Sequence, residues 1–181
     1  MSVKITYLVH GATADNENHI ASGWNDTGLS ELGKKQAKDQ GQLIADKHFD
    51  VIICSDLTRA VESVAIGFGD KFKVISDKRL RECNYGDLNG APDTAFKNNM
   101  LQYVNNRFPN GESYEDVKVR IRDLLNFMKS NYDDKHVALL AHQAPQLALE
   151  VLLNGKTWQQ AIDTDWRKTM AWQPGWEYEL K

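Results

Sequence analysis

The chain has 181 residues, 41% hydrophobic and 26% charged, with a formal net charge of -3. That size suits one α/β domain over residues 1–181 with a developed core. The scattered basic residues and negative balance argue against a nucleic-acid binder, and no apolar run is long enough to cross a bilayer.

Met1-Ser2-Val3-Lys4-Ile5 lacks the layout of a signal peptide, so a cytoplasmic location is expected. Ile5–Val9 is a short apolar run of β-formers that ends at His10-Gly11, as a buried strand feeding a loop would. Ser30 is placed to cap a helix to about Asp46, with Leu32, Ala37 and Ile44 on its inner face. Val51–Cys54 is a second buried strand, ending at Ser55-Asp56, and Leu57 to about Phe68 a second helix. Cys54 and Cys83 lack any CxxC or Cys/His ligand spacing, which implies reduced core thiols and no metal site.

Val74-Ile75 is a shorter strand candidate. Ser113 and Asp116 resemble a capping box, followed by Val117, Ile121, Leu124, Leu125 and Met128 at helical spacing. His136–Ala141 is a third buried strand, ending at His142, and a helix is expected to start near Pro145. Trp176–Leu180 alternates like a final strand. Trp158, Trp166, Trp172 and Trp176 crowd the tail; edge packing is their expected role, with a homodimer surface as the alternative. His19, His48 and His136 fit no pattern and are read as solvent-facing or strand-edge residues.

Strands alternating with helices imply a three-layer α/β/α sandwich with a mostly parallel central sheet. Ligands bind such sheets beyond the carboxyl ends of the strands. Three runs deliver His10, the Ser55–Arg59 turn and His142 to that end. Helix N-termini and an arginine fork favour phosphate there. Neutral imidazole, with an ordinary pKa near ~6.5, can attack phosphorus. No metal or other cofactor is expected.

The motifs that carry these residues resemble the histidine phosphatase superfamily and its phosphoglycerate-mutase-like fold. Leu8-Val9-His10-Gly11-Ala12-Thr13 resembles the Arg-His-Gly-x-Thr/Ser signature, and Asn16 matches an asparagine of that loop. Gly28–Ala37, Ser55-Asp56-Leu57-Thr58-Arg59-Ala60, Leu80-Arg81-Glu82 with Tyr85-Gly86 and Gly90, Gly111-Glu112-Ser113 and Ala141-His142 follow in the family's order. The resemblance implies a small phosphatase of the broad-specificity or α-ribazole-phosphate type, acting on a small phosphoester. His10 would be the nucleophile and Glu82 the acid and base. Arg59, His142 and Asn16 would hold the phosphoryl oxygens, with the Gln143 backbone N–H serving beside them.

The chain departs from the pattern at two places. Val9 stands where the signature has arginine, and Gln143 where glycine is usual. Losing one oxyanion donor costs about 10²–10³ in rate. Either another cation fills the gap, with Arg81 and Arg79 as candidates, or the chain is a weak or inactive homologue that binds a phosphorylated ligand or a protein partner. A mutase-type phosphotransferase is a further alternative, disfavoured by the modest room for a lid after Glu82. Trp24, in the loop after the His10 motif, is expected to rim the pocket.

Overall fold

Residues 2–181 are described by a computed structural model. The first apolar run forms β1 (Val3–Val9), buried except at Lys4. Then come α1 (Ala14–Glu17), β2 (Ile20–Ala21), α2 (Glu31–Leu43), β3 (Val51–Cys54), α3 (Thr58–Phe68) and β4 (Val74–Ser76). A connection built mostly of short 3-10 turns carries β5 (Ala91–Pro92), which pairs with β2 as a small antiparallel ribbon. The chain closes with α4 (Tyr114–Asn131), β6 (His136–Ala141), α5 (Gln143–Leu153), α6 (Trp158–Asp163), α7 (Trp166–Thr169) and β7 (Trp176–Leu180).

The main sheet has the order β4-β3-β6-β1-β7, parallel throughout except for β7, which runs antiparallel to β1 at one edge. Alternation along each strand sorts the core into two layers. Val3, Ile5, Tyr7, Val9, Val51, Ile53, Val137 and Leu139 pack towards α4, α5 and α6. Leu8, Ile52, Cys54, Ala138 and Leu140 pack towards α3 and the end of α2. This is the expected α/β/α sandwich, and both cysteines are free and buried. Among the described residues no helix is long and apolar enough to cross a membrane.

Local chemistry sets the helix ends. The Ser30 hydroxyl accepts from the Gly33 N–H, and Ser113 and Asp116 form a reciprocal capping box. The helix after Ser30 is shorter than expected and ends at Leu43, with Ile44 buried beyond it. Leu32 lies outside the inner face and is 48% exposed, because the buried stripe runs through Gly33, Ala37, Gln40 and Gly41. One residue is about 100° around a helix, enough to turn Leu32 to solvent. The α5 helix starts two residues before Pro145, which falls in the first turn, where a missing N–H costs nothing.

One close approach fixes the loop after β1. A Cβ on Gly33 would lie 1.9 Å from the Ala12 carbonyl oxygen, and a Cβ on Gly11 2.2 Å from that of Gly33. The Gln36 side-chain carbonyl accepts the Ala12 N–H at 2.8 Å, locking the loop to α2. Gly33→Ala is therefore expected to cost about 1–3 kcal/mol of stability, measured by urea unfolding, and to displace the loop that carries His10.

Candidate active site

β1 and β6 pair in parallel with Val9 opposite Ala141, and the His10 N–H continues the ladder to the Ala141 carbonyl. Each strand then releases a histidine at the same edge, and the rings of His10 and His142 lie 4.9 Å apart between centroids. On the other side of β6, β3 leads into α3, whose first turn carries Arg59. A cavity of about 630 Å³ lies at these ends, with Val9, His10, Asn16, Arg59, Glu82 and Gln143 in its wall; His142, beside the His10 ring, is buried and not itself on that wall.

The tautomer of His10 follows from one hydrogen bond. Its Nδ1 lies 2.6 Å from the Gly11 carbonyl oxygen, which can only accept, so Nδ1 bears the proton and Nε2 keeps its lone pair. Burial first, then the charge of Arg59, lower the pKa of His10 to about 3, with a smaller contribution from Arg167. The ring is thus neutral at pH 7. His142 is 1% exposed, and neither ring nitrogen has a hydrogen-bond partner among the described residues. Burial and the neighbouring cations hold it neutral as well. Unpaired buried polar atoms cost roughly 1–3 kcal/mol, so a group that bonds to them on binding recovers that cost.

Arg59 is 2% exposed and aimed by two carbonyls, Asn25 at 3.1 Å and Gly23 at 2.8 Å. Gly23 sits at φ +53°, where a Cβ would strike the Asn89 side chain, so glycine suits this turn. Asn16 accepts at Oδ1 from the N–H and hydroxyl of Thr13. That bond orients its amide, and Nδ2 has no partner among the described residues.

Glu82 is clamped at both ends. Its Oε1 accepts the N–H groups of Cys83 and Ala144 at 2.8 and 3.0 Å, and its Oε2 that of Gln143 at 3.1 Å. Its own carbonyl accepts from Trp24 Nε1 and Arg120 Nη2 at 2.7 and 2.9 Å. The carboxylate therefore caps the positive end of α5. This engages the Gln143 backbone N–H that sequence reasoning assigned to phosphate. The Gln143 side chain turns instead to Asp165.

Three further expectations are corrected. Arg79 spends its Nε and Nη2 on Asp77, and Arg81 its Nε and Nη2 on Asp56, and neither lines the cavity. Trp24 does not line it either, because its indole is bonded to the Glu82 carbonyl and covered by Arg81. The cavity instead takes Trp166, Arg167 and Trp172 from the tail, together with Lys97. Their crowding in the tail predicts edge packing for the two tryptophans, and Arg167 lies in no motif. Its only sequence signal is its place beside Trp166. Trp158 and Trp176 do pack as expected, against Tyr114 and Trp166.

Residues 6–173 match the histidine phosphatase superfamily (branch 1). The chain belongs to that family. It is similar to the fructose-2,6-bisphosphatase TIGAR of Xenopus tropicalis, 31% identical over 135 residues, covering 68% of this chain but 49% of that protein. It is 29% identical over 147 residues to the phosphatase PhoE of Bacillus subtilis, covering 81% and 75%. A mycobacterial glucosyl-3-phosphoglycerate phosphatase solved with VO3 superposes with a TM-score of 0.75 at 29% identity, covering 88% of this chain and 86% of that one.

The neutral histidines make stability depend on acid. Between the folded and unfolded pKa values of such a group the unfolded chain binds more protons, so stability is full above about pH 6.5. For His10 it falls towards pH 3, by up to about 1.4 kcal/mol per pH unit. Urea unfolding at pH 7, 6 and 5 is expected to show a smaller loss for His10→Asn than for the unaltered protein.

Proposed function

We propose that the chain is a phosphomonoesterase that works through a phosphohistidine on a small phosphorylated metabolite, without a metal. The observation that carries this reading is the Nδ1–H bond of His10 to Gly11, which leaves a neutral, unprotonated Nε2 facing a cavity with Arg59. The phosphatases among its relatives support the same class of reaction.

In the first step the Nε2 lone pair forms a bond to phosphorus as the bond from phosphorus to the ester oxygen breaks. Glu82, which takes up a proton from solvent as the anionic substrate enters, passes it to that leaving oxygen. Arg59, His142 and Asn16 bind the phosphoryl oxygens, where their fixed donors cost little reorganisation. An anion arriving at the N-terminus of α5 competes for the Gln143 N–H, freeing Oε2 of Glu82 towards the leaving group. In the second step the Glu82 carboxylate takes a proton from water, the water oxygen bonds to phosphorus, and the bond to Nε2 breaks.

Val9 at the cavity wall favours one second reading, a slow or inactive homologue that binds its phosphorylated ligand. Hydrolysis of an aryl phosphate separates the two. The enzyme reading expects turnover unaffected by chelator, abolished in His10→Ala, and reduced about 10²–10³-fold in Arg59→Met. An inert protein that phosphate nevertheless stabilises against heat would establish the binding reading.

A further inference from the structure

The dianion of a phosphomonoester needs more positive charge than one buried arginine supplies, and Val9 contributes none. Three cationic side chains line the cavity: Arg59, Lys97 and Arg167. Lys97 is paired to Asp93 at 2.9 Å. Arg167 is placed differently. Its Nη1 donates to Asp165 Oδ1 at 3.1 Å and to Gln146 Oε1 at 3.2 Å, which uses both hydrogens of that nitrogen. Nε and Nη2, with three N–H donors between them, have no partner among the described residues. The guanidinium also lies over the Trp166 ring, 4.4 Å from its centroid.

The anchor for this arrangement is the second departure from the family pattern. Gln143 donates through Nε2 to Asp165, and Gln146 accepts from Trp166 Nε1 at 3.1 Å as well as from Arg167. Two side chains on the first turns of α5 thus pin the segment from Asp165 to Arg167 beside the helix N-terminus. Asp165 is buried and absent from the cavity wall, whereas Arg167 is on it. Val9 belongs to the core layer that α5 covers, and Val9 and Arg167 both line the cavity.

Building on the phosphatase reading, we propose that Arg167, presented by Gln143, Asp165 and Gln146, is the second arginine of the phosphoryl site and replaces the one missing at position 9. A guanidinium with one nitrogen anchored and its opposite edge free can offer two parallel N–H donors to phosphoryl oxygens. The influence of Arg167 on the His10 and His142 rings is consistent with its charge being felt there.

The test compares the unaltered protein with Arg167→Met, Arg167→Ala, Val9→Arg, and Val9→Arg combined with Arg167→Met. It reads kcat/KM on an aryl phosphate and, separately, the Kd of inorganic phosphate by calorimetry. Arg167→Met is expected to lower kcat/KM about 10²–10³-fold and to weaken phosphate binding, both read at a temperature where circular dichroism shows the variant folded, since the change also removes a partner of the buried Asp165. Val9→Arg is expected to restore at least a tenfold part of that loss. If the added arginine unfolds the protein, guanidinium ions at low millimolar concentration are expected to rescue Arg167→Ala instead. An effect of Arg167→Met below about threefold on both readouts overturns the proposal, as does a loss that neither route recovers. A loss confined to substrates with a second anionic group also overturns it, since Arg167 would then serve the leaving group. If the unaltered protein has no turnover but phosphate binding still falls in Arg167→Met, the hydrolase reading fails and the assignment of Arg167 stands.

Discussion

The parallel pairing of Val9 with Ala141 is the constraint on which the site depends. Because β1 and β6 run side by side in the same direction and end together, the next residue of each has to emerge at one edge of the sheet. Those residues are His10 and His142. Strand β3 flanks β6 on the other side and ends at the same level, so the turn into α3 brings Arg59 to the same opening. A slip of one residue would send each side chain to the opposite face of the sheet, and the alternating burial of the core resists it.

The charges gathered at this edge explain how the histidines behave. With the two rings drawn into the protein and Arg59 buried beside them, a proton on either ring is unfavourable, and both stay neutral. Neutrality leaves His10 a free Nε2 lone pair, and neither ring nitrogen of His142 has a partner among the described residues. Of the two carboxylates in the wall, Asp39 and Glu82, the latter is held by backbone N–H groups at the start of α5. The same helix end would attract a phosphate, so carboxylate and substrate share a single electrostatic resource.

Part of the cavity wall comes from the tail. Trp166 and Trp172, with Leu43 of α2, give it apolar surface. The tail is tied to α5 through Gln143 and Gln146 and to α2 through Gln40, which donates to the Pro174 carbonyl. A tail anchored at both helices can shape the cavity without disturbing the strand ends that carry the two histidines.

Much of this was legible in the chain itself. Short apolar runs that end in His10, Ser55 and His142 identify buried parallel strands, because such strands lack a polar face and stop where the chain meets solvent. Ser30 and Ser113 mark helix starts through bonds to N–H groups three residues on, which depend only on local spacing. The wall beyond the strand ends was not legible. Trp24 left the rim because its indole found the Glu82 carbonyl, and Arg79 and Arg81 were drawn off by Asp77 and Asp56. Arg167 was brought in by Asp165 and Gln146, Asp165 being held in turn by Gln143. Each of these choices is a competition between partners, some of them distant in sequence. Local periodicity determined which residues reach the edge of the sheet, and only tertiary packing decided which charges remain free to face the cavity.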